Sequence, residues 1–110
     1  MAGLTKTEEK SLFVFKQLLM EVFNVRLRKV VLFGSKARKD AHKDSDVDVL
    51  VLLDAVTMQD SSRIYQLVTK TFLMTGNYLS VKVYGSKEYA AKKQRNNVFV
   101  QEIEHDAIEL

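Results

Sequence analysis

The stretch VLFGSKARKDAHKDSDVDVLVLL, residues 31–53, decides the fold. Its first residues finish a β-branched and aromatic run, Arg28 to Phe33, which Gly34-Ser35 closes. Residues of that type favour a pleated, half-buried backbone, so the run predicts a strand followed by a tight turn. Asp46 to Leu53 predicts a second strand. Its far half, from Val49 on, is apolar at every position, which a strand covered on both faces requires. Between the two, Lys36 to Asp40 can start a short helix, and the polar Ala41 to Ser45 reads as a loop.

The flanks extend the pattern. Thr5 and Glu8 have capping-box spacing. Behind them Leu12, Phe15, Leu19 and Phe23 recur at helical intervals, predicting a helix over 6–23 that ends at Asn24. Downstream, Ile64, Leu67, Val68, Thr71 and Met74 predict a helix over 57–75, ended by Gly76-Asn77. Tyr78 to Tyr84 alternates with period two, a third strand. Ser86 can cap a basic helix from Lys87 to Arg95, and Asn97 a last helix through Phe99 and Ile103 to Leu110. The order predicts an α/β (α+β) fold: a three- to four-stranded mixed sheet backed by helices as one layer pair. Residues 1–110 are read as a single domain, with no repeat, linker or low-complexity segment.

Composition excludes several classes. The chain has no cysteine, which removes disulfides, thiolate metal sites and a cysteine nucleophile, and its two histidines cannot make a three-histidine zinc site. The longest apolar run, Val49 to Leu53, spans five residues; a membrane helix needs ~20. The first residues, MAGLTKTEEKS, lack the apolar core of a signal peptide, so the cytoplasm is the expected compartment. Seventeen Lys and Arg against fourteen Asp and Glu leave a net charge of +3, which suits an anionic ligand without demanding one.

Chemistry concentrates where the reading began. Gly34 lets backbone approach a ligand closely, the turn presents N–H groups to an anion, and Ser35 adds a hydroxyl. Asp46 and Asp48 occupy positions i and i+2 of a strand start, so both carboxylates project to one face. Two such charges are costly unless one is protonated or a cation lies between them. Magnesium held by one or two carboxylates and by substrate phosphates is one solution. The turn is not a Walker A loop, because no Gly-Lys-Ser/Thr follows.

Gly34-Ser35, ten intervening residues and Asp46-x-Asp48, together with Ala37-Arg38 and Ser45, resemble the signature of the polymerase-beta-like nucleotidyltransferase superfamily, in its minimal branch. The order of elements agrees over nearly the whole chain. The resemblance implies the nucleotidyltransferase fold, Gly34, Ser35 and Arg38 as nucleotide-binding residues, and Asp46 and Asp48 as catalytic carboxylates that bind Mg2+. It implies ATP or another nucleoside triphosphate as substrate. It also implies AMP transfer to a hydroxyl of a partner, a helical HEPN-domain protein whose antitoxin this chain would be. Direct RNA modification is a weaker reading, and a homo-oligomer paired through a sheet edge or helix face is compatible with the pattern.

Fully equipped members of that superfamily carry a third carboxylate on the strand after the Asp-x-Asp strand. The matching strand here, Leu79 to Tyr84, has none; Ser80 and Lys82 are the residues expected to face the site, and Glu88 follows in the next segment. Two readings therefore stand: an enzyme, or a weakened or inactive nucleotide-binding module that neutralises its partner by binding. The expected cleft brings together Ser35, Asp46, Asp48 and Ser80. Lys36, Lys39 and Lys43 are expected to be solubilising charge, His42 and His105 surface residues, Asp40 and Asp44 turn or cap residues, and Phe13, Phe15 and Phe23 packing residues. The basic segment Lys87, Lys92, Lys93 and Arg95 is expected to be a solvated helix face.

Overall fold

The structure, a computed structural model, describes residues 3–38 and 45–110. The expected loop up to Asp44, with His42, Lys43 and Asp44, lies outside the described residues, as do Lys39 and Asp40 of the expected short helix. Helix α1 spans Lys6–Phe23 and begins at the expected capping box: Glu8 N–H donates to Thr5 Oγ1 at 3.1 Å, and Thr5 N–H donates to Glu8 Oε1 at 2.9 Å. Asn24 ends it at φ 51°, a left-handed conformation that asparagine tolerates better than most residues. A 3₁₀ turn, Asn24–Arg26, then leads into strand β1, Leu27–Phe33. Gly34 turns the chain at φ +76° into the short helix α2, Ser35–Arg38.

Strand β2 is Val47–Leu53, α3 is Met58–Thr75, and β3 is Leu79–Gly85. A second capping box, Thr57 with Asp60, opens α3, and Gly76 closes it at φ +79°. Helices α4, Ser86–Gln94, and α5, Val98–Asp106, follow. Asn97 caps α5 as expected, accepting from Val100 N–H at 3.1 Å. Ser86 does not cap α4. Gly85 occupies the cap position, and the Ser86 hydroxyl donates instead to the Leu53 carbonyl at 2.9 Å.

The last helix also stops short of the expected Leu110. It ends at Asp106, and Ile108–Glu109 form strand β4 on the edge of β1. The mixed sheet has the order β3-β2-β1-β4, with β1 antiparallel to both its neighbours and β2 parallel to β3. A parallel pair needs a crossover, and α3 supplies it.

The sheet is covered on both faces rather than on one. Val30, Leu32, Val47, Val49, Val51 and Leu53 pack with Phe15, Leu19, Ile64 and Val68 of α1 and α3. Val31, Phe33, Leu50 and Leu52 pack with Tyr89 of α4 and with Val100 and Ile103 of α5. The period of two in each strand sends alternate residues into these two cores. Phe15 and Phe23 are buried as expected, whereas Phe13 is 64% exposed. No helix among the described residues is long and apolar enough to cross a membrane.

Candidate functional site

The turn at Gly34 is held from below. Lys36, the second residue of α2, is only 3% exposed and pairs with Glu8 at 3.0 Å. A lysine is rarely buried unless paired, and Glu8 provides the pair while capping α1. Lys36 is therefore an anchor of the turn, contrary to the expectation of a solubilising charge. Its backbone carbonyl also accepts from Gly3 N–H at 2.8 Å. The Gly34 carbonyl accepts from the N–H groups of Ala37 and Arg38, both at 3.1 Å, which winds α2 tightly onto the end of β1.

The β1–β2 register pairs Phe33 with Asp48, which brings the turn beside the carboxylate. A Cβ placed on Gly34 would collide with Asp48 Oδ2. Glycine is thus required here twice over, by the positive φ and by the closeness of the carboxylate. Gly34, Ser35, Arg38 and Asp48 all line one open cleft of about 830 Å³. Asp46 lies just before β2, exposed, and is not among the lining residues, yet its charge is felt at Asp48. Burial first, and the Asp46 charge second, push the Asp48 carboxyl above its ordinary value; Lys82 and Arg38 oppose the rise.

Strand β3 forms the neighbouring side. Ser80 stands opposite Asp48 in the parallel register, and Lys82 opposite Leu50. Lys82 lines the cleft and Ser80 does not, so the expected grouping with Ser80 is only partly realised. Glu88 is exposed on α4 and does not reach the lining. Among the described residues no group of three or more His, Asp or Glu side chains is arranged to hold a metal ion.

The far wall is α5, which the sequence reading did not place at the site. Phe99, Glu102, His105 and Asp106 face the cleft from it. Phe99 meets Phe33 edge-on at 6.1 Å between ring centroids. Asp106 Oδ2 accepts from Arg38 Nη1 at 2.7 Å, and its Oδ1 lies 3.0 Å from His105 Nδ1. These contacts, His105 first and Arg38 next, hold the Asp106 carboxyl below its ordinary value. His105 is exposed as expected, but it belongs to the cleft. One signal for this wall was present: Glu102 and Asp106 at i and i+4, one turn beyond Phe99, form a single helix stripe. Nothing local told which sheet face that stripe would meet.

On the basic segment Lys87, Lys93 and Arg95 are exposed as expected, whereas Lys92 is half-buried. Lys93 pairs with Glu104 at 3.3 Å, and Lys92 lies over the Tyr84 ring at 5.7 Å.

Comparison with known proteins adds to this geometry. A family model described as nucleotidyltransferase domain matches residues 16–107. Two relatives from Methanocaldococcus jannaschii, each provisionally named a protein adenylyltransferase, also match. One is 30% identical over 97 residues, covering 87% of this chain and 91% of its own. The other is 34% identical over 86 residues, covering 78% and 81%. In fold, the chain resembles one from the crystal structure of a mutant MntA–HpeT toxin–antitoxin. The TM-score is 0.55 at 22% identity, over 93% of this chain and 70% of that one. A chain of a toxin–antitoxin crystal structure with AMP-PNP gives a TM-score of 0.54 at 19% identity, over 86% and 68%.

Proposed function

The chain belongs to the nucleotidyltransferase domain family, a family of transferases, and from that membership we propose that it moves AMP from ATP to a hydroxyl of a partner protein. The observation that carries the proposal is the closeness of the Gly34 turn to Asp48, which puts a ligand cradle and a carboxylate on one surface. The acceptor oxygen bonds to the α-phosphorus as the bond to the bridging oxygen breaks, and pyrophosphate and the hydroxyl proton are released.

In this reading Gly34 and Ser35 bind the triphosphate, with Arg38 at its edge. Asp46 and Asp48 hold magnesium together with substrate phosphates. The donor set fits that ion, because magnesium prefers hard oxygen ligands and takes few from protein when phosphates are present. Bound there, it would neutralise phosphate charge and polarise the group transferred. The protein's own part is to fix the triphosphate against one strand end.

The partner we propose is a helical HEPN-type protein, with this chain as the antitoxin of the pair in the cytoplasm. Residues 1–110 would act as one catalytic domain. The named relatives and the toxin–antitoxin fold neighbours support this reading. The test is incubation of chain and partner with α-labelled ATP and magnesium. Label on the partner, lost with Asp46→Asn and with Asp48→Asn, is the expected outcome; label on added RNA, or none anywhere, rejects it.

A second reading has its own observation. Strand β3 offers Ser80 and Lys82 where a further acid would complete the metal site. A module that binds nucleotide and partner without transfer predicts a stable complex, neutralisation of the partner and no label.

A further inference from the structure

Lys82 is a cationic residue of the cleft that the transfer reading above leaves unused. It lies on β3, which runs parallel to β2 with Asp48 opposite Ser80 and Leu50 opposite Lys82. Side chains alternate along a strand, so residues 48, 50, 80 and 82 share the face on which α5 builds the cleft. Lys82 lines that cleft together with Asp48.

The cleft's other lining cation is engaged: Arg38 donates to Asp106 at 2.7 Å. Lys82 forms no ion pair among the described residues. An ammonium of this kind, exposed and sharing the cleft with the Asp48 carboxylate, is placed to meet an anion. The carboxylates meanwhile limit the metal. Two-metal sites clamp the attacking and leaving oxygens between ions roughly 4 Å apart, and each ion needs anionic ligands. The described residues offer no trio of ligating side chains. Asp46 and Asp48 with substrate phosphates suffice for one magnesium ion.

We propose that Lys82 does the work of a second metal ion: its ammonium contacts the phosphates of the bound nucleotide, and the loaded cleft holds one divalent ion. This rests on the cleft being the nucleotide site. It gives β3 a positive role and makes the missing acid a substitution of one cation by another. Chemically, a lysine can replace part of a metal's charge because it is a compact point charge with three rotatable donors. It cannot replace a metal's ability to generate a hydroxide, so transfer should be slow and should favour an acceptor hydroxyl that is already acidic.

The test counts metal and measures affinity separately. Manganese is titrated into the chain with a non-hydrolysable ATP analogue and followed by electron paramagnetic resonance. The wild type is expected to bind one Mn2+ per nucleotide. Lys82→Gln keeps that ratio but weakens analogue binding about tenfold, equivalent to about 1.4 kcal/mol, and Lys82→Arg restores most of it. Lys82→Asp creates a second Mn2+ site. Lys82 is exposed, and thermal melting confirms that the variants fold. Two Mn2+ per nucleotide in the wild type, or unchanged analogue affinity in Lys82→Gln, overturns the inference alone. No analogue binding by the wild type overturns it together with the nucleotide site.

Discussion

At the scale of single residues the cleft trades stability for reactivity, and Asp48 shows the sign of the trade. Its carboxyl is raised by burial and by Asp46, so the folded chain binds this proton more tightly than the unfolded one. Stability from this group is present at low pH and falls as pH rises from the ordinary carboxylate range through the raised value. Above it, the folded chain carries a carboxylate it would rather have neutral. Asp48→Asn removes that cost. In metal-free buffer the variant is expected to melt above the wild type at pH 7, with the gap closing towards pH 4, while label transfer is lost. A variant that melts below the wild type at neutral pH refutes this account. That Gly34, Ser35 and Asp48 come together in one cleft was legible in sequence because their spacing is local to one strand–turn–strand unit. The burial of Lys36 was not, because it depends on Glu8, a residue of a different element whose pairing no periodicity encodes.

At the scale of elements, each helix is fixed by an end as much as by a face. Thr57 and Asp60 cap α3, and the same Asp60 carboxylate receives the Arg26 guanidinium at 2.7 and 3.0 Å. Arg26 first, and the Thr57 N–H next, hold the Asp60 carboxyl far below its ordinary range despite its burial. A depressed carboxyl stabilises the fold above its unfolded value and loses that contribution as pH falls through the acid range. Asp60→Asn should therefore lower stability at pH 7 and flatten its decline between about pH 5 and pH 2. Thr57→Ala should cost about 1 kcal/mol with a smaller change in that slope, because Arg26 remains the first cause of the lowered Asp60 carboxyl. Urea unfolding across pH separates the two. Element type was legible wherever apolar spacing was long and regular, as in α1, β2 and α3. The end of α5 was not. No glycine or proline stops it, and the chain leaves the helix because the edge of β1 needs a partner. Leu110 N–H donates to the Val30 carbonyl at 2.9 Å, and Ile108 and Leu110 pack against the larger core. Tertiary pairing overrides local propensity there. The double cover of the sheet had a sequence trace in the continuous apolar half of β2, although the reading stopped at one layer of helices.

At the scale of the whole molecule, net charge and site charge point in opposite directions. The chain carries +3 overall, and a positive surface raises the encounter rate with an anionic ligand. The cleft itself is lined by three carboxylates, Asp48, Glu102 and Asp106, against Arg38 and Lys82, with Asp46 close by. On the proposed reading, a triphosphate entering without a metal would meet repulsion from Asp48 and Asp46 where the Gly34 turn would receive it. A divalent cation between those carboxylates reverses the local sign, so metal and nucleotide should bind with positive coupling. Such coupling is reciprocal: whatever factor magnesium adds to nucleotide affinity, nucleotide adds to magnesium affinity. Calorimetric titration of a non-hydrolysable ATP analogue, with magnesium and with EDTA, is expected to show at least about a tenfold difference. The effect should shrink in Asp46→Asn and vanish in the Asp46→Asn, Asp48→Asn double variant, which binds nucleotide alike with and without metal and at least as tightly as the wild type does in EDTA. Equal affinities in magnesium and EDTA for the wild type would remove the metal from the site and leave the cationic side chains to hold the phosphates alone.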